Sequence, residues 1–262
     1  MAFSALGLCP EMLQAIAAAK YLAPTPIQTA AIPPILKAQD LQACAPTGSG
    51  KTLTFAAPML QRLIGRTAAG DRRASSLVLV PTRELAMQVG EVYRSLARYL
   101  PRPIKVLTVF GGVSINPQMM ALRGGADVLV ATPGRLLDLA DHNAIRLRYV
   151  RTLVLDEADR LLDEGFTDEL TRVLALLPVR RQSLLFSATF PAGVEALAQR
   201  LLHEPVLVDG ATAAATSPDI HQRAIAVDPE RRTQLLHQLL QQHSWDRTLV
   251  FVLRNAQPST LP

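Results

Sequence analysis

The chain has 262 residues, of which 49% are apolar, and it carries a net charge of +5 at pH 7. This length and apolar content suffice for a sizeable core, and no apolar run approaches the ~20 residues of a membrane-spanning helix. The apolar start has no basic segment before it, and Cys9 and Cys44 show neither metal spacing nor a disulfide framework. We therefore expect a cytoplasmic protein with no signal peptide and no membrane partner.

Arginine supplies 23 of the 27 basic residues. Its guanidinium group pairs with phosphate in a planar, bidentate way, which suits a nucleic-acid partner. A genome that favours arginine codons would produce the same excess, so the charge leaves both explanations open.

Short apolar segments alternate with amphipathic ones along most of the chain. The predicted strands are residues 41–45, 76–80, 106–110, 127–131, 152–155, 183–186 and 206–208. Helical patterns between them include residues 53–64, 84–100, 166–177 and 193–202. Strands this apolar are buried on both faces, so the pattern predicts a mostly parallel sheet with helices on both faces. Such sheets bind ligands at the carboxyl ends of their strands.

A small, polar, proline-containing segment at residues 210–220 is typical of a linker. It divides the chain into a domain at 1–209 and a remainder at 221–262. In the remainder we predict a strand, a helix and a strand at 223–227, 230–241 and 248–252, followed by a tail at 254–262. One such unit is too small for a core of its own. We therefore expect 221–262 to be the incomplete start of a second α/β domain.

A glycine-rich segment follows the first predicted strand and precedes a helical pattern, the context that a phosphate-binding loop requires. Its glycines permit a tight turn with N–H groups aimed at a phosphate, and the helix start adds its positive dipole end. We expect Lys51 to reach the β- and γ-phosphates and Thr52 to hold Mg²⁺. Ala45 stands where the general pattern has glycine. The predicted nucleotide-binding residues here are Thr47, Gly48, Ser49, Gly50, Lys51 and Thr52.

The run Asp156-Glu157-Ala158-Asp159 follows the predicted strand 152–155. Acidic residues also favour helix starts for purely structural reasons, but here a phosphate loop lies upstream. We expect Asp156 to carry Mg²⁺, directly or through a water molecule, because hard cations prefer carboxylate oxygen. Glu157 would then polarise the water that attacks the γ-phosphate. The predicted catalytic residues are Lys51, Asp156 and Glu157.

This acidic run and the phosphate loop make the chain resemble the DEAD-box RNA helicases, a family with RecA-like domains. Residues 20–28, containing Pro24-Thr25-Pro26-Ile27-Gln28, resemble the family's adenine-reading segment, with Lys20 where glycine is common. The resemblance implies that Gln28 binds the adenine edge. It also implies that Phe3 or Tyr21 packs on the base, which extends the adenine-reading region to residues 3–28.

Other segments resemble the family's contacts with the RNA backbone. The resemblance implies RNA binding, with little sequence preference, by Pro81, Thr82, Arg83, Gly111, Gly112, Thr132, Pro133, Gly134 and Arg135. Ser187-Ala188-Thr189 resembles the motif that couples ATP turnover to strand separation, and its hydroxyl groups would bond Asp159. The five histidines show no metal spacing.

Three classes of function are compatible with this pattern. The first is an ATP-dependent RNA helicase, of which this chain carries the ATP and Mg²⁺ site and half of the RNA site. In the family, arginines of the second domain complete catalysis, so we expect this chain alone to be nearly inactive. The second is another phosphate-loop ATPase, such as a DNA translocase. The third is a non-catalytic module that binds nucleotide and RNA.

Overall fold

The computed structural model describes residues 2–65, 74–163, 165–210, 221, 223–243, 245 and 247–252. The chain divides into two compact units, residues 1–215 and 216–262. The predicted linker beyond Gly210 and the predicted tail at 254–262 lie outside the described residues.

The first unit is built on a seven-stranded sheet, and every neighbouring pair of its strands runs parallel. The strands are β1 Leu41–Cys44, β2 Ser76–Leu79, β3 Val106–Val109, β4 Val128–Ala131, β5 Thr152–Leu155, β6 Gln182–Ser187 and β7 Val206–Asp209. Their order across the sheet is β3-β4-β2-β5-β6-β1-β7. All seven predicted strands are present, each within one residue of its predicted start.

Helices of the first unit cover both faces of the sheet. They are α1 Pro10–Ala18, α2 Pro26–Leu36, α3 Lys51–Ile64, α4 Arg83–Ala97, α5 Asn116–Leu122, α6 Pro133–Asp141, α7 Ala158–Asp163, α8 Thr167–Ala175 and α9 Ala192–Leu201. Two short 3-10 turns, Phe3–Leu6 and Leu147–Tyr149, complete the unit.

Two hydrophobic clusters form the core, one on each face of the sheet. Val78 and Val80 pack with α1 to α4, whereas Leu77 and Leu79 of the same segment pack with α6 to α9. This division follows from the alternation of side chains along a strand. Four of the five inner strands, β2, β4, β5 and β6, are buried along their whole length, as an apolar run without alternation predicts. The predicted α/β fold, a parallel sheet with helices on both faces, is confirmed.

The second unit contains little regular structure among its described residues. A 3-10 turn at Pro229–Arg231 leads into helix α10, Arg232–Gln242, which confirms the predicted helix. The strands predicted at 223–227 and 248–252 are wrong, because both segments lie outside any strand. A strand needs a neighbour to satisfy its N–H and C=O groups. No described residue from 221 onward is buried, so the described part of this unit has no hydrophobic core that would hold a strand in place.

Within the described part of the chain, no helix combines the length and the apolar character that would be needed to cross a membrane.

Candidate functional site

The predicted site segments meet at one edge of the sheet, because the carboxyl ends of parallel strands share an edge. The strand order separates these segments into two groups. Residues 111–112, 132–135 and 81–83 follow β3, β4 and β2, which we call the β3–β4–β2 half. Residues 156–159, 187–189 and 46–52 follow β5, β6 and β1, which we call the β5–β6–β1 half.

The glycine-rich segment turns tightly between β1 and α3. Gly48 and Gly50 have φ values of +80° and +94°, a backbone conformation that residues other than glycine rarely adopt. The Ser49 hydroxyl donates to the carbonyl of Pro46 at 2.8 Å and closes the turn. Helix α3 begins directly at Lys51. The first N–H groups of a helix have no partner within it. The turn therefore ends at a group of hydrogen-bond donors that can bind an anion.

Lys51 is buried, with 6% of its surface exposed, and its position is fixed by two oxygen atoms. Its ammonium group donates to the carbonyl of Ala45 at 3.1 Å and lies 4.0 Å from Oδ1 of Asp156. Asp156 is 2% exposed. Burial raises the pKa of Asp156 to about 6, against the opposing attraction of Lys51, and the neighbouring Glu157 adds to the rise. The structure thus brings together the lysine and the carboxylate predicted for phosphate and metal.

Glu157 is held in a backbone conformation that is rare for its residue type. Its φ of +53° lies in the left-handed region, which costs about 1–3 kcal/mol and is often found at functional sites. Nη1 of Arg160 donates to Oε2 of Glu157 at 2.9 Å. Arg160 was not identified from the sequence, although a spacing of three residues at the start of a helix is typical of such a pair.

Asp159, Ser187 and Thr189 form a connected hydrogen-bond network. Oδ2 of Asp159 accepts from the backbone N–H of Thr189 at 3.0 Å and from its hydroxyl at 2.9 Å. The Ser187 hydroxyl accepts from the N–H of Asp159 at 3.2 Å and donates to the carbonyl of Thr189 at 2.7 Å. Burial acts to raise the pKa of Asp159, but these hydrogen bonds outweigh it and lower the pKa. The predicted contact between the acidic run and residues 187–189 is confirmed.

Gln28 connects residues 25–28 to the phosphate loop. Its side-chain oxygen accepts from the N–H of Thr25 at 2.9 Å, and its side-chain nitrogen donates to the carbonyl of Gly50 at 3.1 Å. A Cβ at position 50 would lie 2.5 Å from that nitrogen, and the φ of +94° also favours glycine there. Adenine binding by Gln28 remains a prediction, since both ends of its amide make internal bonds.

The two aromatic candidates for packing on the base differ in exposure. Phe3 belongs to the hydrophobic core and is 6% exposed. Tyr21 packs against the same core but is only half-buried, and burial raises the pKa of its hydroxyl. Of the two, Tyr21 therefore offers more ring surface to a ligand.

In the β3–β4–β2 half, three of the predicted RNA-binding residues are exposed, namely one arginine and two glycines. Arg83 is exposed, and its guanidinium carbon lies 5.5 Å from the centre of the Phe110 ring. Gly111 and Gly112 are exposed as well. Thr82 caps helix α4, since its hydroxyl accepts from the N–H of Leu85 at 3.2 Å. A nucleic-acid backbone could therefore approach the exposed main chain of two glycines and a positive charge here.

Other predicted RNA residues are buried and have structural contacts. Pro81, Thr132 and Pro133 are buried, and Gly134 is half-buried. Nη2 of Arg135 donates to the carbonyl of Val113 at 2.7 Å, and its Nε lies 3.4 Å from a carboxylate oxygen of Asp138. Arg135 is 9% exposed, and its Nη1 has no hydrogen-bond partner among the described residues. Arg135 thus supports the loop that contains Gly111 and Gly112.

Gln118 supports the same loop and was not identified from the sequence. Its side-chain amide accepts from the N–H of Phe110 and donates to the carbonyl of Phe110, both at 3.1 Å. A lone glutamine on a short helix gives no sequence signal for this role. Arg135 and Gln118 therefore hold the chain on both sides of Gly111 and Gly112.

Comparison with known proteins agrees with this geometry. Residues 25–197 match the model of the DEAD/DEAH box helicase family. The chain is 40% identical over 251 residues to the ATP-dependent RNA helicase DbpA of Escherichia coli, and the match covers 95% of this chain and 54% of DbpA. It is 39% identical over 250 residues to the ATP-dependent RNA helicase DeaD of Mycobacterium tuberculosis, covering 95% of this chain and 43% of DeaD.

A solved structure is similar too. The crystal structure of the yeast DEAD-box splicing factor Prp28 matches with a TM-score of 0.70 and 33% identity, covering 74% of this chain and 47% of the Prp28 chain. The family model spans more than half of the chain. The chain therefore belongs to the DEAD/DEAH box helicase family. It spans about half the length of its bacterial relatives DbpA and DeaD, and about a quarter of the human DDX46 protein.

Proposed function

We propose that this chain is the ATP-binding part of an ATP-dependent RNA helicase. The β5–β6–β1 half binds ATP, and the β3–β4–β2 half binds the backbone of RNA. The names of the relatives DbpA and DeaD support this assignment. The observation that carries it is the distance of 4.0 Å between the Lys51 ammonium and the Asp156 carboxylate, at the start of α3. Two buried, opposite charges beside a helix start suit a phosphate with a metal ion.

The residues present fit Mg²⁺ held jointly by protein and phosphate. No group of three or more metal-ligating side chains (His, Cys, Asp or Glu) occurs in the part of the chain that the structure describes. Asp156 and Thr52 would supply protein oxygen ligands, and phosphate oxygens and water would complete the shell, as is usual for this ion. When bound, Mg²⁺ neutralises charge that develops on the phosphates.

Within this proposal each buried side chain has a task. Lys51 holds the phosphates, and Glu157 orients and polarises the attacking water. The bonds from Thr189 to Asp159 connect the acidic run to the end of β6. A displacement of residues 187–189 would therefore also displace the acidic run. This connection supports the coupling role proposed for Asp159, Ser187 and Thr189.

The adenine contact is proposed for Gln28, with Tyr21 against the base. Because Gln28 bonds to the carbonyl of Gly50, base recognition and the phosphate loop would share one side chain. ATP and GTP should then compete unequally for the chain. Gln28→Ala should reduce that difference without abolishing binding, and equal competition in the unmutated chain would refute the assignment.

RNA binding is proposed for the exposed groups of the β3–β4–β2 half, Arg83, Gly111 and Gly112. Backbone N–H groups and a guanidinium contact phosphate without reading bases. The affinity should fall steeply with salt, because phosphate contacts release counterions.

A non-catalytic binding role for the isolated chain is the second candidate. The Glu157 carboxylate is paired with Arg160 at 2.9 Å, and no described residue of the second unit is buried. The deciding experiment measures ATP turnover with and without RNA, on this chain and on a version extended by a second RecA-like domain. We expect turnover of ~1 s⁻¹ or more only in the extended protein with RNA. RNA-stimulated turnover of that size by this chain alone would contradict the proposal.

A cytoplasmic location is also proposed. Cys9 and Cys44 are free thiols, which suits a reducing compartment.

A further inference from the structure

A second group of charged side chains lies at the opposite edge of the sheet, where β2, β5 and β6 begin. A cavity of about 550 Å³ opens there, and its polar lining includes Arg62, Ser75, Ser76, Arg151, Arg181 and Gln182. Because all strands are parallel, this edge is separate from both halves of the candidate site. Its volume falls within the ~300–1,000 Å³ of sites for small molecules.

The arginines of this cavity have no carboxylate partner in the part of the chain that the structure describes. Within the described chain, neither Arg62 nor Arg151 nor Arg181 forms an ion pair. Arg102, by contrast, pairs with Asp127 at 2.5 Å. No described carboxylate therefore neutralises the charge of this lining by direct contact.

Arg62 is the clearest example of a charged side chain in this cavity without a carboxylate partner among the described residues. Its Nη1 donates to Oε1 of Gln182 at 2.5 Å and to the hydroxyl of Thr152 at 3.4 Å, and its Nη2 donates to the carbonyl of Ile35. All three acceptors are neutral. Burial lowers the pKa of Arg62, so water that would stabilise the charge is partly excluded. A desolvated cation without a counter-charge is unfavourable unless an anion binds beside it.

Arg181 is also incompletely satisfied. Its Nη1 donates to the carbonyl of Pro178 at 2.7 Å, but its buried Nε has no hydrogen-bond partner among the described residues. Burial lowers the pKa of Arg181, and the more distant carboxylate of Asp40 only partly offsets this. That carboxylate accepts from the N–H groups of Ser183 and His203, both at 2.8 Å, so its oxygens are already engaged.

We propose that this cavity binds a small anion bearing two or more phosphate groups, such as pyrophosphate or the phosphates of a nucleotide. Guanidinium groups pair bidentately with phosphate oxygens, and Arg62, Arg151 and Arg181 all belong to the lining of this one cavity. The hydroxyl groups of Ser75 and Ser76 are further donors on its wall. The site is distinct from the phosphate loop, which lies at the opposite edge of the sheet.

Titration calorimetry with pyrophosphate tests the proposal. The experiment uses the 262-residue chain with Lys51→Ala, so that the phosphate loop does not dominate the signal. We expect saturable binding, weakened about tenfold or more by adding either Arg151→Gln or Arg181→Gln. Arg98→Gln is the matched control, because Arg98 is exposed and lies outside the cavity, and it should leave the affinity unchanged.

Each other outcome overturns the proposal. Absence of saturable binding would do so, and so would equal weakening by Arg98→Gln, which would indicate general attraction to a basic protein. Thermal unfolding of each variant confirms folding, and Arg151 is exposed, so its substitution leaves the core intact.

A parallel titration with single-stranded RNA separates the sources of phosphate. Weaker RNA binding in the two cavity variants, without pyrophosphate binding, would assign the cavity to RNA instead.

Discussion

The two halves of the carboxyl edge hold their functional groups in opposite ways. In the β5–β6–β1 half, Lys51, Asp156 and Glu157 are buried and contact charged or polar neighbours. In the β3–β4–β2 half, Arg83, Gly111 and Gly112 face solvent, and the buried Arg135 and the half-buried Gln118 hold the loop in place.

This difference follows from the proposed tasks. Charges that stabilise a reacting phosphate act most strongly where water is excluded and the groups are fixed in advance. Binding a long, charged backbone needs accessible donors, and its strength comes from charge rather than from burial. Substitutions in the first half should therefore change chemistry or nucleotide affinity strongly, and substitutions in the second half should change RNA affinity modestly.

The largest effect is expected from Glu157→Gln. The amide keeps the shape of the side chain but does not act as a base, so ATP turnover should fall by ~10²–10⁴-fold. Turnover is measured in a protein extended by the second domain, with RNA present, and ATP affinity is measured in parallel. Affinity should change little, because Glu157 is assigned to water rather than to phosphate.

Arg160→Gln is a useful companion to that variant, because Arg160 is the hydrogen-bond donor to Glu157. It should alter turnover less than Glu157→Gln does. Unchanged turnover in Glu157→Gln would remove this residue from the mechanism.

The second largest effect is expected from Lys51→Ala in the 262-residue chain. The substitution removes a buried cation beside the start of α3, and charged hydrogen bonds of this kind contribute about 1.5–3 kcal/mol each. We expect ATP to bind at least about 100-fold more weakly, measured by fluorescence or calorimetry. Lys37→Ala is the control, because Lys37 is exposed and ends α2. An equal loss in both variants would contradict a specific phosphate contact.

The sequence predicted the first half of the edge better than the second. Strand positions, the phosphate loop and the contact between Asp159 and Thr189 follow from apolar runs and motif order, which are local signals. The support of the glycine loop by Arg135 and Gln118 connects residues on different elements, so no single segment encodes it. The strands predicted at 223–227 and 248–252 fail for the same reason, because pairing depends on neighbours that a local pattern does not contain.

Asp156 should make stability depend on pH. Its pKa is raised from 3.8 to about 6, so the native state binds more protons than the unfolded state between these values. Stability should therefore fall as the pH rises from about 4 to 6, and the full cost, about 3 kcal/mol, should be present above pH 6.

Asp156→Asn tests this without Mg²⁺ or nucleotide. The variant should be more stable than the parent at pH 7, by up to about 3 kcal/mol, and the difference should vanish near pH 4. Urea unfolding at several pH values measures it. A variant that is less stable at pH 7 would show that the attraction between Asp156 and Lys51 outweighs the cost of burial.

The smallest effect is expected from substitution of Arg135. This substitution also tests most directly whether the two halves of the edge differ as described. The family resemblance assigns Arg135 to RNA, whereas the structure shows it buried and bonded to the carbonyl of Val113 at 2.7 Å. If it acts by supporting the loop, Arg135→Gln should weaken binding of single-stranded RNA only by about 1 kcal/mol, roughly fivefold. The loss should also leave the salt dependence of binding unchanged, because no phosphate contact disappears.

Arg83→Gln is the matched comparison, since Arg83 is exposed and has the same charge. Loss of one phosphate contact on a single strand should reduce the slope of log affinity against log salt by about 0.7. RNA titrations at four or five salt concentrations measure both slopes. A reduced slope in Arg135→Gln would mean that Arg135 turns outward to contact phosphate when RNA binds. The buried contact with Val113 would then belong only to the protein without RNA, and the two halves of the edge would differ less than their side chains indicate.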